Sequence, residues 1–154
     1  MTTPRISIQT ADFDIAAEIA RVTRGRADIG AVVTFSGLCR GEGGSLAALE
    51  LEHYPGMAEA EIGRIAREAL DRWPLTGLSV IHRIGKIAPG ENIVLVVTAS
   101  AHRHAAFEAA SFLMDFLKTD APFWKKEHQA DGSEGKWVEA RDTDDLAADK
   151  WHRL

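Results

Sequence analysis

Residues 117–127 read LKTDAPFWKKE, three lysines set around a proline and two large aromatic residues. A lysine ammonium can hold an anion or stabilise negative charge that develops during a reaction, and once deprotonated it can attack a carbonyl. Lys118 closes an apolar run at helical spacing that Pro122 must stop, so a structural role is also open to it. A cation at a helix C-terminus is favoured by the helix dipole, and Asp115, at i to i+3 spacing, is a ready ion-pair partner. Lys125 and Lys126 are neighbours in a strand-like segment. Successive side chains there point to opposite faces, so only one of the two can share a pocket with Lys118. Glu127 adjoins them.

Other polar clusters bear the same double reading. His102, Arg103 and His104 sit where a strand gives way to a helix, a junction whose free N–H groups attract anions, or which is simply a helix start. His102 and His104 lack the further ligands that would complete a tetrahedral metal shell. Arg40 opens the loop Gly41-Glu42-Gly43-Gly44, whose glycine spacing fits neither a phosphate loop nor a dinucleotide fingerprint. Cys39 is the single cysteine, with no partner for an internal disulfide, and its place after an apolar strand reads as a packed thiol ahead of a nucleophile. No G-x-S-x-G elbow is present, and no two carboxylates form an evident acid/base pair.

These residues must be carried by alternating strands and helices. "RISIQT" reads as a strand, and "FDIAAEIARVTR" as a helix through Ile15, Ile19 and Val22. "GAVVTFSGLC" is an apolar, β-branched run that predicts a buried strand. "ALELEHY" alternates Leu49, Leu51 and His53 with Glu50, Glu52 and Tyr54, which predicts a strand with one wet face. From Met57 to Trp73 the positions Ile62, Ile65, Ala66, Ala69, Leu70 and Trp73 make a helical stripe that ends before Pro74. "LSVIHRI" and "NIVLVVTAS" flank "APGE" as a strand pair. The following helix, His104 to Lys118, is apolar almost all round, with one polar seam through His104, Glu108, Ser111, Asp115 and Lys118. "FWKKEHQ" and "GKWVEA" then flank "ADGSEG" in the form of a β-hairpin.

At 154 residues, residues 1–154 are expected to form one domain, and a hydrophobic fraction of 45% is ordinary for a globular chain. A formal net charge of −5 argues against general nucleic-acid binding, although a local basic pocket is compatible with it. No segment has the apolar run of a signal peptide or of a membrane span, so no membrane association and a cytoplasmic location are expected.

The segments "GAVVTFSG" with Arg40, "LEHYPGMAE", "RWPL", "VIHRIG", "PGE", "SAHR", "MDFLKTDAPFWKKE" and "WVEARD" follow one another across residues 30–142. In this order they resemble the large, catalytic subunits of molybdopterin synthase. The resemblance implies an α+β fold, an α/β hammerhead core with an additional antiparallel β subdomain. It also implies a homodimer within a heterotetramer, each large subunit joined by a small ubiquitin-like sulfur-carrier subunit. The C-terminal Gly-Gly thiocarboxylate of that partner would deliver sulfur to cyclic pyranopterin monophosphate, twice, to make the molybdopterin dithiolene. No cofactor and no metal is implied. By resemblance Lys118 is the principal catalytic residue and Lys125 lines the same pocket, while Arg40, His102 and Arg103 bind phosphate and other anionic groups. Lys126 and Glu127 adjoin the pocket.

Two other classes of function fit parts of the pattern. A non-catalytic module could capture a ubiquitin-like tail as an added strand or through its carboxylate, although such a module would need only one of the two lysines. A Schiff-base enzyme could use an activated lysine on a carbonyl substrate, which borohydride trapping would reveal.

Overall fold

The structure, a computed structural model, describes residues 2–119, 123–138 and 151. Pro122, and the part of the "WVEARD" match beyond Val138, lie outside the described residues. Strand β1 (Arg5–Gln9) is followed by helix α1 (Ile15–Thr23), strands β2 (Ala31–Leu38) and β3 (Leu46–His53), and helix α2 (Met57–Arg72). Strands β4 (Leu75–Arg83), β5 (Gly85–Ile87) and β6 (Asn92–Ser100), helix α3 (Arg103–Thr119) and strand β7 (Phe123–Gln129) complete the order.

The helices begin and end where local chemistry requires. Asp14 caps α1, its Oδ1 accepting from the Ala17 N–H at 3.1 Å. Gly56, at φ 85°, turns the chain into α2, and the Glu59 carboxylate reaches back to the Gly56 N–H at 2.8 Å. The helix stops at Arg72, ahead of Pro74.

Two sheets divide the work. The first has four strands in the order β1-β4-β6-β2, with β1 parallel to β4 and the other pairs antiparallel. Helices α2 and α3 cover one face, packing Ile62, Ile65, Phe112 and Leu113 against Leu78, Val80, Val94 and Val96. On the other face Phe13, Ile15 and Val22 pack against Ile81, Leu95 and Val97. The second sheet, β5-β3-β7, is antiparallel throughout and packs Leu46, Leu51 and Ile87 with Cys39. The α+β class is therefore as expected, with the two sheets in the places of the core and the added β subdomain.

Two expectations need correction. The run 30–39 predicted a buried strand, yet β2 is half-exposed, with Phe35 41% and Leu38 52% accessible. It lies at the edge of the first sheet, and apolar content alone does not distinguish an edge strand from a central one. The predicted strand pair β4 and β6 forms, but the chain between them first leaves to add β5 to the second sheet. Its return uses the 88–91 turn, in which the Glu91 N–H donates to Ala88 O at 3.0 Å and Gly90 takes φ +88° after Pro89. The hairpin after β7 is present as two single bridges, Lys125 with Val138 and His128 with Glu134.

Candidate active site

Topology brings the lysines together. Helix α3 starts beside the Ser100 end of β6 and runs back along the sheet, so its last turn lies over the opposite end, where β4 finishes, β6 begins and β2 finishes. The second sheet abuts that same end. Two adjoining cavities form there, and Lys118 and Lys125 line both.

The first cavity, about 190 Å³, is walled by apolar side chains that include Phe35, Leu51, Ile93, Met114 and Phe123. The second, about 260 Å³, is lined by Cys39, Arg40, Glu42 and Glu127. An apolar slot thus opens beside a charged one, with the two lysines at their boundary. A planar ring or an extended glycine tail fits the slot, and a phosphate or carboxylate fits the cations.

Strand alternation selects the lysine. In β7, Phe123, Lys125 and Glu127 lie on one face, opposite His53, Leu51 and Leu49 of β3. Lys126 points to the other face, where its Nζ lies 3.5 Å from Glu134 and 4.7 Å from the Trp137 ring centroid. Of the adjacent pair, Lys125 lines the cavities and Lys126 does not. At the end of α3 no ion pair joins Lys118 to Asp115. The Asp115 carboxylate accepts instead from Trp151 Nε1 at 2.5 Å.

Arg40 lies on the rim, its side chain 85% exposed and 3.7 Å from Glu42. His102 and Arg103 are elsewhere. They stand at the start of α3, and the fifteen residue steps from Arg103 to Lys118 span roughly 22 Å of helix. A single chain does not bring them to the lysine pocket, because the helix that begins beside them carries Lys118 to the far end of the sheet. Lys126 and this pair are thus the sequence candidates that lie off the cavity walls, whereas Arg40, Lys118, Lys125 and Glu127 converge.

Cys39 is buried at 3% exposure, and burial pushes its thiol up from the ordinary value. Its backbone is fixed on both sides, N–H to Glu91 O and carbonyl to the Gly90 N–H. These facts fit a packed thiol.

One wall residue was not among the candidates read from the sequence, although it lies in the matched segment "VIHRIG". His82, on β4, lines the apolar cavity and stacks on Phe123, ring centroids 4.0 Å apart and planes 16° from parallel. Its Nδ1 lies 2.8 Å from Arg83 O. A carbonyl can only accept, so Nδ1 carries the proton. The pKa is lowered to about 4, first by burial and then by the charges of Lys118 and His53, against the opposing bond to Arg83. The ring is therefore neutral at neutral pH.

An α+β scaffold that holds two lysines at the mouth of an apolar slot, with an arginine on the rim, is built to receive an anionic ligand, and the relatives define the class as transferases. The MoaE protein family matches residues 8–120. The molybdopterin synthase catalytic subunit of Mesorhizobium japonicum is 75% identical over 148 residues, covering 96% of this chain and 93% of that one. The molybdopterin biosynthesis MoaE protein from Burkholderia ambifaria superposes with a TM-score of 0.83 at 48% identity, over 99% of both chains. Molybdopterin synthase from Staphylococcus aureus does so with a TM-score of 0.75 at 31% identity, over 86% of this chain and 95% of that one. The chain belongs to the MoaE protein family, and its activity is sulfur transfer in molybdopterin synthesis. No helix among the described residues is long and apolar enough to cross a membrane.

Proposed function

We propose that the two cavities at the junction of the sheets are the sulfur-transfer site, with Lys118 acting in the chemical step and Lys125 holding the substrate. The observation that carries this reading is that Lys118 and Lys125, from different elements, line both cavities at once. The acceptor is cyclic pyranopterin monophosphate. The donor is the thiocarboxylated Gly-Gly tail of a small ubiquitin-like subunit, which the relatives' designation as catalytic subunits implies as a second component. Glycines have no side chains and can enter the slot in extended form.

In each transfer the tail's sulfur forms a bond to a side-chain carbon of the pterin while a C–O bond at that carbon breaks, the oxygen leaving on the phosphate or, after protonation, as water. Water then cleaves the acyl–sulfur bond, leaving sulfur on the pterin, a carboxylate on the tail and one released proton. Negative charge develops on the acyl oxygen as water adds. An ammonium held beside the atom on which that charge develops stabilises it. Lys118 is assigned this task, and it can also transfer the proton. Lys125 and Arg40 hold the phosphate, and Glu127, on the Lys125 face of β7, orients Lys125. His102 and Arg103 take no part in the pocket of their own chain, and the homodimer is the remaining route by which they reach a substrate. Residues 1–154 act as one catalytic domain, in the cytoplasm.

The test is single-turnover dithiolene formation with thiocarboxylated small subunit at saturating pterin. Lys118→Ala should lose at least about a hundredfold in rate, the cost of removing one donor to a developing oxyanion. Lys125→Ala should lose mainly substrate affinity, and Lys125→Arg should restore much of it. Near-normal turnover in Lys118→Ala would overturn the assignment. Near-normal turnover in Lys118→Arg would remove proton transfer and leave electrostatic stabilisation.

A further inference from the structure

The apolar cavity contains more than two cations and hydrocarbon. Of the described side chains lining it, lysine and tryptophan can only donate hydrogen bonds, Met114 offers a weakly accepting thioether, and His82 alone offers a strong acceptor. Its ring is held in one orientation by the stack on Phe123 and in one tautomer by the bond from Nδ1–H to Arg83 O. Nε2 therefore bears a lone pair. It has no partner among the described residues, although His82 is only 9% exposed.

Among the described residues the buried side-chain polar atom without a partner is Thr76 Oγ1, so His82 Nε2 is open to the cavity, and a ligand that excludes water there must replace the hydrogen bond that water would make. A ligand that fills the slot faces the mirror-image problem. An N–H carried into an apolar pocket between two ammonium groups finds no strong side-chain acceptor among the described lining residues except this one.

We propose that His82 is a substrate-binding residue of the sulfur-transfer pocket, its Nε2 accepting a hydrogen bond from an N–H that lies beside the anionic group held by Lys118 and Lys125. This rests on the assignment of the pocket above. Two ligands of the reaction present that chemistry: the tail, whose last amide N–H precedes the thiocarboxylate, and the pterin, whose ring N–H groups lie near its phosphate-bearing side chain. The low proton affinity of the buried ring suits the role, since a protonated His82 would be a third donor and would repel the same N–H.

The test reads the acceptor atom directly. In the homodimer labelled with ¹⁵N at histidine, the unprotonated Nε2 of His82 gives a far-downfield resonance that moves upfield on accepting a hydrogen bond. One arm adds the small subunit ending in an ordinary carboxylate, and the other adds cyclic pyranopterin monophosphate. An upfield shift in the first arm identifies the tail amide as the donor, and in the second the pterin. In single turnover, His82→Phe keeps a ring on Phe123 but loses the acceptor, and should lose about tenfold in affinity for the ligand that moves the resonance. His82→Gln, which offers an amide oxygen near the position of Nε2, should recover part of that loss.

A resonance that stays still in both arms overturns the proposal, even if His82→Phe is slow, because the ring would then be structural. The two readings fail separately. If Lys118→Ala turns over normally, the pocket is misassigned. If Lys118→Ala is inactive while neither ligand moves Nε2, only the role of His82 falls.

Discussion

At the scale of single residues, the site separates groups that look alike in composition. Lys118 and Lys125 meet an apolar slot, while Cys39, lining only the charged cavity, is locked by backbone bonds to Glu91 and Gly90 and packed with Leu46, Leu51 and Ile87. A sulfur carrier must present a thiolate, and burial opposes its formation here. No second cysteine is available to reset it after a transfer. Cys39→Ser should therefore keep substantial turnover with thiocarboxylated small subunit, within about threefold of wild type. A stability loss of about 1 kcal/mol is expected from placing a hydroxyl among apolar groups. Turnover abolished in a normally folded variant would instead assign the Cys39 thiol a direct part in the reaction.

At the scale of elements, strand alternation sends one of two adjacent lysines to the cavities and the other to Glu134 and Trp137. Lys126→Ala should leave pterin affinity unchanged within about twofold and cost at most about 1 kcal/mol of stability, through its exposed Glu134 contact and its place over Trp137. Lys125→Ala should do the reverse, and titrating both variants with the pterin decides between them. That division was legible in the sequence, because a period of two needs no tertiary information. So were α1, α2, α3 and the β4–β6 pair, whose apolar spacing is local. Strand β5 was not, since three residues carry no periodicity and pair only because β3 is already in place. The exposure of β2 was hidden for a related reason: its composition suits a central strand, and its edge position is set by sheet order. His82 lay in a matched segment, but nothing local marked it as a site residue. It reads as one more residue of "LSVIHRI", and the Phe123 ring and Lys118 charge that give it chemistry arrive from the far end of the chain. The separation of His102 and Arg103 from Lys118 follows from the length of α3, which the sequence did display.

At the scale of the whole molecule, site and core share supports. Trp151 is buried between α2 and α3, edge-on to Trp73 and Phe112, with Arg72 Nη1 donating to its carbonyl at 3.2 Å and its own Nε1 donating to Asp115. Asp115 lies one turn before Lys118, so this contact steadies the end of the helix that delivers the lysine. Trp151→Ala should cost about 3–5 kcal/mol in urea unfolding, the range for removing a buried aromatic residue. Trp151→Phe should recover most of the packing but remove the indole N–H that donates to Asp115. The neutral, buried His82 also ties global stability to pH. An unfolded histidine takes up a proton near 6.5, whereas in the folded chain His82 does so only near 4. Between these values the unfolded state binds more protons, so stability rises with pH there. The contribution is fully present above 6.5 and is lost progressively as pH falls toward 4. The gap corresponds to on the order of 3 kcal/mol. Carboxylates add their own slopes below pH 5, so the informative quantity is the difference between wild type and His82→Phe. Wild type should lose stability relative to the variant as pH drops from 7 to 4.5. Parallel curves from urea titrations across that range would show that His82 protonates as readily in the folded chain as in the unfolded one. The ring would then be wetter and less confined than its stack on Phe123 requires.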